Sequence, residues 1–117
     1  MNKRQTGTFY EREAVLYLQS RGVRVLEVNF RCRQGEIDII GYDDSCLIFV
    51  EVKARASLKA GSGAEAVNDR KQRKICRVAD YYRMLHGISE FAEIRYDCVV
   101  IDQGEISWIK NAFGHVW

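Results

Sequence analysis

Apolar residues recur along this chain with two different periods, and the changes of period mark out its elements. Over residues 8–21, Ala14, Val15 and Leu18 form a stripe at helical spacing, Gly22 is a natural stop, and Thr6 or Thr8 suits the cap. Residues 23–32 alternate instead, with Val23 and Val25 on one side, which predicts a strand. A second strand is predicted over 35–41, the turn residues Tyr42-Asp43-Asp44-Ser45 follow, and a third strand covers 46–54. Residues 56–64, with Ser57, Gly61, Ser62 and Gly63, read as a mobile loop. Asn68 or Asp69 then opens a long helix that ends near His86-Gly87 and is striped by Ile75, Val78, Ala79, Tyr82 and Leu85. A fourth strand over 94–101, a turn at Asp102-Gln103-Gly104 and a short fifth strand over 105–109 complete the pattern. Residues 111–117 predict no element.

The order α-β-β-β-α-β-β places the chain in the α/β class. Three strands joined by short turns form an antiparallel meander. The long helix is a crossover, which permits a parallel pairing of the third and fourth strands and is right-handed when it occurs. A mixed central sheet flanked by helices is the expected architecture, and 117 residues fit one domain, 1–117.

Composition narrows the class further. With 47% hydrophobic and 29% charged residues the chain has the make-up of a folded domain rather than a disordered one. The basic start lacks the apolar stretch of a signal peptide, and the longest apolar run, Cys46 to Val50, has strand length, so no membrane association and a cytoplasmic location are expected. Cys32, Cys46, Cys76 and Cys98 form no CxxC pair, which argues for reduced, mostly buried thiols rather than zinc or disulfides.

Against this background a few charged residues sit where a core should be. Glu36, Asp38 and Ile40 share one face of the second strand, and Leu47, Phe49, Glu51 and Lys53 share one face of the third. Ile37, Ile39, Ile48, Val50 and Val52 take the opposite faces. A four-residue turn, Asp43 to Cys46, sets Asp38 against Glu51 and Glu36 against Lys53. A two-residue turn shifts the register by two and sets Asp38 against Phe49. In either register Asp38 and Glu51 are direct or diagonal neighbours, within about 8 Å at Cβ. Glu11 falls on the apolar stripe of the first helix and so points with Ala14, Val15 and Leu18.

Each of these residues has an ordinary structural reading. Glu36 can pair with Lys53, Asp38 can accept backbone bonds, and Glu11 can pair with an arginine. Together they suit a divalent cation, because Mg²⁺ or Mn²⁺ takes hard oxygen ligands and relieves the repulsion of facing carboxylates. Asp38 and Glu51, with Glu11 as a third acid, are the candidate metal ligands. Lys53 is the candidate catalytic cation, on the same face as Glu51 because one residue separates them.

The net charge of +2 says little, but Arg70, Lys71, Arg73, Lys74 and Arg77 form a dense basic block at the start of the long helix. The crossover carries that helix back over the C-terminal end of the third strand. Lys71 and Gln72 can therefore point toward the acids, while Arg70, Arg73, Lys74 and Arg77 face outward as phosphate contacts or as a solvated face.

The stretch Gly35-Glu36-Ile37-Asp38-Ile39-Ile40, followed by Phe49-Val50-Glu51-Val52-Lys53-Ala54-Arg55, resembles the bacterial YraN-type family of the PD-(D/E)xK, restriction-endonuclease-like superfamily. Glu11-Arg12-Glu13-Ala14, Asn29-Phe30-Arg31-Cys32-Arg33, Lys71-Gln72-Arg73, Arg95-Tyr96-Asp97 and Asn111-Ala112-Phe113 extend the resemblance over nearly the whole chain. It implies a restriction-endonuclease-like core, with Asp38, Glu51 and Lys53 as the metal-and-catalysis set. It also implies Glu11 as an added acid, similar to that of archaeal Holliday-junction resolvases. The expected partner is nucleic acid, DNA first. The expected function is a metal-dependent nuclease acting on branched or damaged DNA, the alternative a nucleic-acid-binding protein with an unused site. The resolvases act as dimers, which puts a homodimer among the expected partners. Two departures stand out. Ile37 occupies the place of the motif's proline, and Cys76 that of the tyrosine four residues after Gln72.

Overall fold

The computed structural model describes residues 3–55 and 67–116, so the expected loop over 56–64 lies outside the described residues. The elements run α1 (Lys3–Ser20), β1 (Arg24–Cys32), β2 (Gly35–Asp43), β3 (Cys46–Arg55), α2 (Asp69–Leu85), β4 (Ile94–Asp102) and β5 (Glu105–Phe113). This is the α/β order expected from the pattern. The five strands form one mixed sheet in the order β1-β2-β3-β4-β5. Only β3 and β4 pair in parallel, joined by the α2 crossover.

Each helix covers one face of the sheet. Ala14 and Leu18 of α1 pack with Ile39, Ile48, Val50, Val99 and Ile101. Ile75, Val78, Ala79 and Tyr82 of α2 pack with Ile37, Ile40, Phe49, Tyr96 and Cys98. Helix α2 starts as its sequence predicts, with the Asn68 side chain accepting from the Lys71 N–H at 2.9 Å. Helix α1 starts earlier than residue 8, so Thr6 and Thr8 lie within it rather than capping it. Neither helix is long and apolar enough to cross a membrane. None of the four cysteines forms a disulfide, and three of them are buried.

Two departures from strict alternation shape the sheet. Ile37 and Ile40 enter the same core while Ile39 enters the other, so the side-chain alternation of β2 reverses at Asp38. The neighbouring strand reverses at the same level. Val28 lines a groove beside α1, whereas Phe30 packs on Tyr82 of α2. Between them Asn29 adopts φ +57, a left-handed conformation that asparagine tolerates better than most residues. The expected placement of Ile37 beside Ile39 is therefore corrected.

The second departure is in β5, which runs to Phe113 rather than ending at 109. Its register against β4 shifts between Tyr96 and Cys98, and Asn111, at φ +55, donates its N–H to Asp97 Oδ1 at 2.9 Å. Asp97 is fully buried and fully bonded. Its carboxylate also accepts from Arg95 Nε and Nη2 and from Trp108 Nε1, each at 2.8 Å. Arg95 bridges on to Asp43 at 2.8 Å and holds that carboxyl below its ordinary range. Asp97→Ala leaves the half-buried Arg95 guanidinium with Asp43 as its remaining partner and takes the acceptor from the Trp108 indole N–H and the Asn111 N–H. It is expected to cost about 3–5 kcal/mol in chemical denaturation, the scale of breaking a buried ion pair.

Candidate functional site

The β2–β3 ladder stops one residue short of the acids. Its last pair is Ile39 with Val50, with Asp43 against Cys46 at the other end and only Asp44 and Ser45 between them. The turn is thus tighter than four residues, yet the register is the one that sets Asp38 against Glu51. The backbones then part. Asp38 Oδ2 accepts from the Val52 N–H at 2.8 Å, and Glu51 Oε2 accepts from the Asp38 N–H at 3.3 Å. Each carboxylate takes the place of a ladder carbonyl, and this holds both side chains at the split.

The split also removes the expected cross-strand pair of Glu36 and Lys53. Glu36 is exposed and bonds Arg31 of β1 at 3.0 Å. Lys53 is exposed and lines a cleft of ≈ 260 Å³ with Tyr10, Glu11, Asp38 and Lys71.

The acids are under electrostatic stress. Glu51 is only 5% exposed, and burial, reinforced by the Asp38 charge, pushes its carboxyl up to about 9. Burial also raises Asp38, and the two side chains are hydrogen-bonded to each other. Such a pair holds one proton between its carboxyls at neutral pH. Lys71 Nζ stands 3.7 Å from Glu51 Oε1 and pulls the other way, too weakly to reverse the shift. Glu11 is raised by its own burial and by Asp38, and is partly relieved by a hydrogen bond from Asn29. Its Oε2 is buried without a hydrogen-bond partner among the described residues.

Among the described residues, no three carboxylate, imidazole or thiolate side chains converge as a closed metal cage. Mg²⁺ does not require one, since it is commonly held by one or two carboxylates, waters and substrate phosphate oxygens. The facing pair Asp38 and Glu51, with the orphaned oxygen of Glu11 on the same cleft, fits that kind of site.

The remaining sequence candidates divide. Lys71 reaches the acids. Gln72 does not line the cleft, because its amide donates to the Val67 carbonyl at 2.8 Å. Arg70, Arg73 and Lys74 are exposed. Arg77 is engaged with the Val116 carbonyl at 3.3 Å and with Asp80 at 4.0 Å. Two residues went unnoticed as site components. Tyr10 lines the cleft one position before Glu11, and Asn29 both bends β1 and bonds Glu11. An asparagine inside an otherwise alternating strand was the available signal for the second.

The sequence profile of the uncharacterised protein family UPF0102 matches residues 10–101, which include every residue of this cleft. A UPF0102 protein of Lachnoclostridium phytofermentans is 43% identical over 97% of this chain and 96% of its own length. Another from Photobacterium profundum is 48% identical over 95% of this chain and 91% of its own, and one from Caldicellulosiruptor bescii is 44% identical over 97% and 100%. Matches of that extent, over the elements that build the cleft, make this chain a member of the UPF0102 family.

Proposed function

We propose that this protein is a divalent-metal-dependent nuclease that hydrolyses DNA phosphodiester bonds, acting on branched or damaged DNA. One observation carries the reading: Asp38, bonded through its N–H to the buried carboxylate of Glu51, lines a cleft together with two lysines and Glu11, whose Oε2 has no hydrogen-bond partner among the described residues. The resemblance of Glu-x-Asp and Glu-x-Lys on adjacent strands to the PD-(D/E)xK pattern supports it. Asp38 and Glu51 would hold Mg²⁺ or Mn²⁺, with Glu11 reaching it directly or through water. A bound cation supplies a Lewis acid for a phosphate oxygen and a lowered pKa for its water.

The chain's own residues do the rest. Lys53, on the solvent side of the cleft, stabilises charge that develops on the phosphate. Lys71, 3.7 Å from Glu51, presents a second ammonium to the anionic strand. Arg70, Arg73 and Lys74, exposed beyond it, bind flanking phosphates. Val52, between Glu51 and Lys53, anchors the strand through its N–H to Asp38.

Labelled single-stranded, duplex, flap and four-way DNA incubated with Mg²⁺ or Mn²⁺ tests the reading. At least one branched substrate is expected to be cut, and chelation should stop the cutting. Lys53→Ala should lower turnover by about 10² or more, the scale of losing one preorganised electrostatic contact. Its cation affinity should hold or rise, because a nearby positive charge has gone. The exposed Arg70, Arg73 and Lys74 equally suit a second reading, a nucleic-acid-binding protein with an unused site. Binding of these DNAs with no cleavage of any would select it.

A further inference from the structure

Beyond the cleft, the end of β1 and the β1–β2 turn border, with Tyr81 and Leu85 of α2, an open cavity of ≈ 480 Å³. That volume falls within the ~300–1,000 Å³ typical of small-ligand sites. We infer that this cavity is a subsite for one unpaired nucleotide of the strand bound at the cleft; the inference rests on the nucleic-acid reading above.

The walls suit a base. Phe30 and Tyr81 line the cavity with ring centroids 6.4 Å apart and planes 34° apart. Phe30 is braced from behind by an edge-to-face contact with Tyr82 at 5.1 Å. Leu85, 55% exposed, extends the apolar surface. A partly open aromatic wall next to a solvent-facing leucine offers a π-face, which is the surface that stacks on a base whatever its identity.

The rim suits a phosphate. Arg31 and Arg33 both line the cavity. Arg31 is bonded to Glu36 at 3.0 Å, whereas Arg33 is exposed and has no ion-pair partner among the described residues. Arginine is the side chain best matched to phosphate oxygens. Gln34 adds an amide able to bond a base edge, its Oε1 already accepting from Cys32 at 3.2 Å.

The position links the cavity to the cleft. Arg31, which lines the cavity, pairs across the ladder with Glu36, and Asp38, which lines the cleft, lies two positions further along that strand. A strand whose phosphate lies at Asp38 would bring its neighbouring nucleotide to this rim. A base in a duplex has both faces stacked and cannot use the aromatic wall. An unpaired base at a flap, gap or junction can. The cavity thus selects DNA with single-stranded character, which narrows the substrate class to branched or gapped DNA.

The test uses flap and blunt-duplex oligonucleotides carrying 2-aminopurine beside the junction, without divalent metal, on wild type, Tyr81→Ala, Tyr81→Phe and Arg33→Gln. Base stacking on an aromatic is worth roughly 1–3 kcal/mol by alanine substitution. Tyr81→Ala should therefore weaken flap binding by about 5- to 150-fold and abolish the fluorescence quenching. Tyr81→Phe should retain both, and duplex affinity should move less than about twofold. Arg33→Gln, an exposed change with no effect expected on melting temperature, should lower the salt slope of flap binding by about one. Flap affinity and quenching unchanged in Tyr81→Ala, an equal loss on duplex, or a change of oligomeric state in sedimentation instead would overturn the inference. If wild type binds the flap and only the variants fail to respond, the subsite falls and the nucleic-acid reading stands. If wild type binds no oligonucleotide, both fall.

Discussion

Asp38→Asn should weaken Mn²⁺ or Mg²⁺ binding by about 100-fold or more and at the same time raise the melting temperature of the metal-free protein. Losing even an outer-shell partner of a metal site commonly costs about 10–100-fold, and a direct carboxylate ligand costs at least as much. The opposite sign for stability follows from what Asp38 does without metal. Its Oδ2 accepts from the Val52 N–H, and an asparagine carbonyl can accept the same bond. What disappears is the one charge the pair keeps in a site whose burial disfavours it, and the new amide can donate to Glu51. Cleavage should fall by about 10²–10³ or more. Isothermal calorimetry for affinity and a thermal melt for stability check the two halves separately. A variant that melts lower and keeps its metal affinity would make Asp38 a purely structural residue.

Glu51 should make the metal-free protein less stable as the pH rises. Burial and the Asp38 charge raise its carboxyl from its ordinary value of 4.5 to about 9. Between those values the folded chain binds more protons than the unfolded chain, so folding becomes less favourable with increasing pH. The stabilising protonation is fully present below about 4.5 and is lost as the pH climbs through about 9. One proton corresponds to at most about 1.4 kcal/mol per pH unit. Glu51→Gln removes the titrating group, so its melting temperature should stay nearly flat across this range and exceed that of the wild type on the alkaline side. Saturating Mn²⁺ should restore the wild type there, because a cation replaces the proton. For the same reason, cation affinity should increase with pH up to about 9 and cation binding should release protons. A wild-type melt that holds steady from pH 5 to 9 without metal would contradict this account of the pair.

Much of this was legible before any coordinates. Period-two alternation put Asp38 and Glu51 on one face of their strands, and either short turn made them direct or diagonal neighbours; the register found is the direct one. The crossover direction brought Lys71 to the same end, where it meets Glu51. Other features depend on backbone events that alternation does not encode. The left-handed Asn29 and the side-chain intrusion of Asp38 reverse the facing of β1 and β2, so Ile37 leaves the face it shares in sequence with Ile39. The same intrusion ends the ladder before Glu36 could meet Lys53. Strand β5 was read short because Lys110 and Asn111 break its pattern, and only the buried Asp97 beneath them shows why pairing resumes. Gln72 departs from its expected direction for a simpler reason. Position on a helical face indicates direction, but the nearer Val67 carbonyl takes its amide.

The central claim is that Asp38 and Glu51 hold a divalent cation, and paramagnetic broadening by Mn²⁺ tests it most directly because it maps binding residue by residue without needing a substrate. In a ¹⁵N-labelled sample titrated with substoichiometric Mn²⁺, the amides of Asp38, Glu51, Val52 and Lys53 should broaden first, followed by those of Glu11 and Lys71. The turn at Asp43 and Asp44, an acidic site at the opposite end of the hairpin, should broaden later. The pattern should collapse in Asp38→Asn. Broadening that begins at Asp43 and Asp44, or that leaves residues 51–53 sharp into the millimolar range, would contradict the metal site and the nuclease reading built on it.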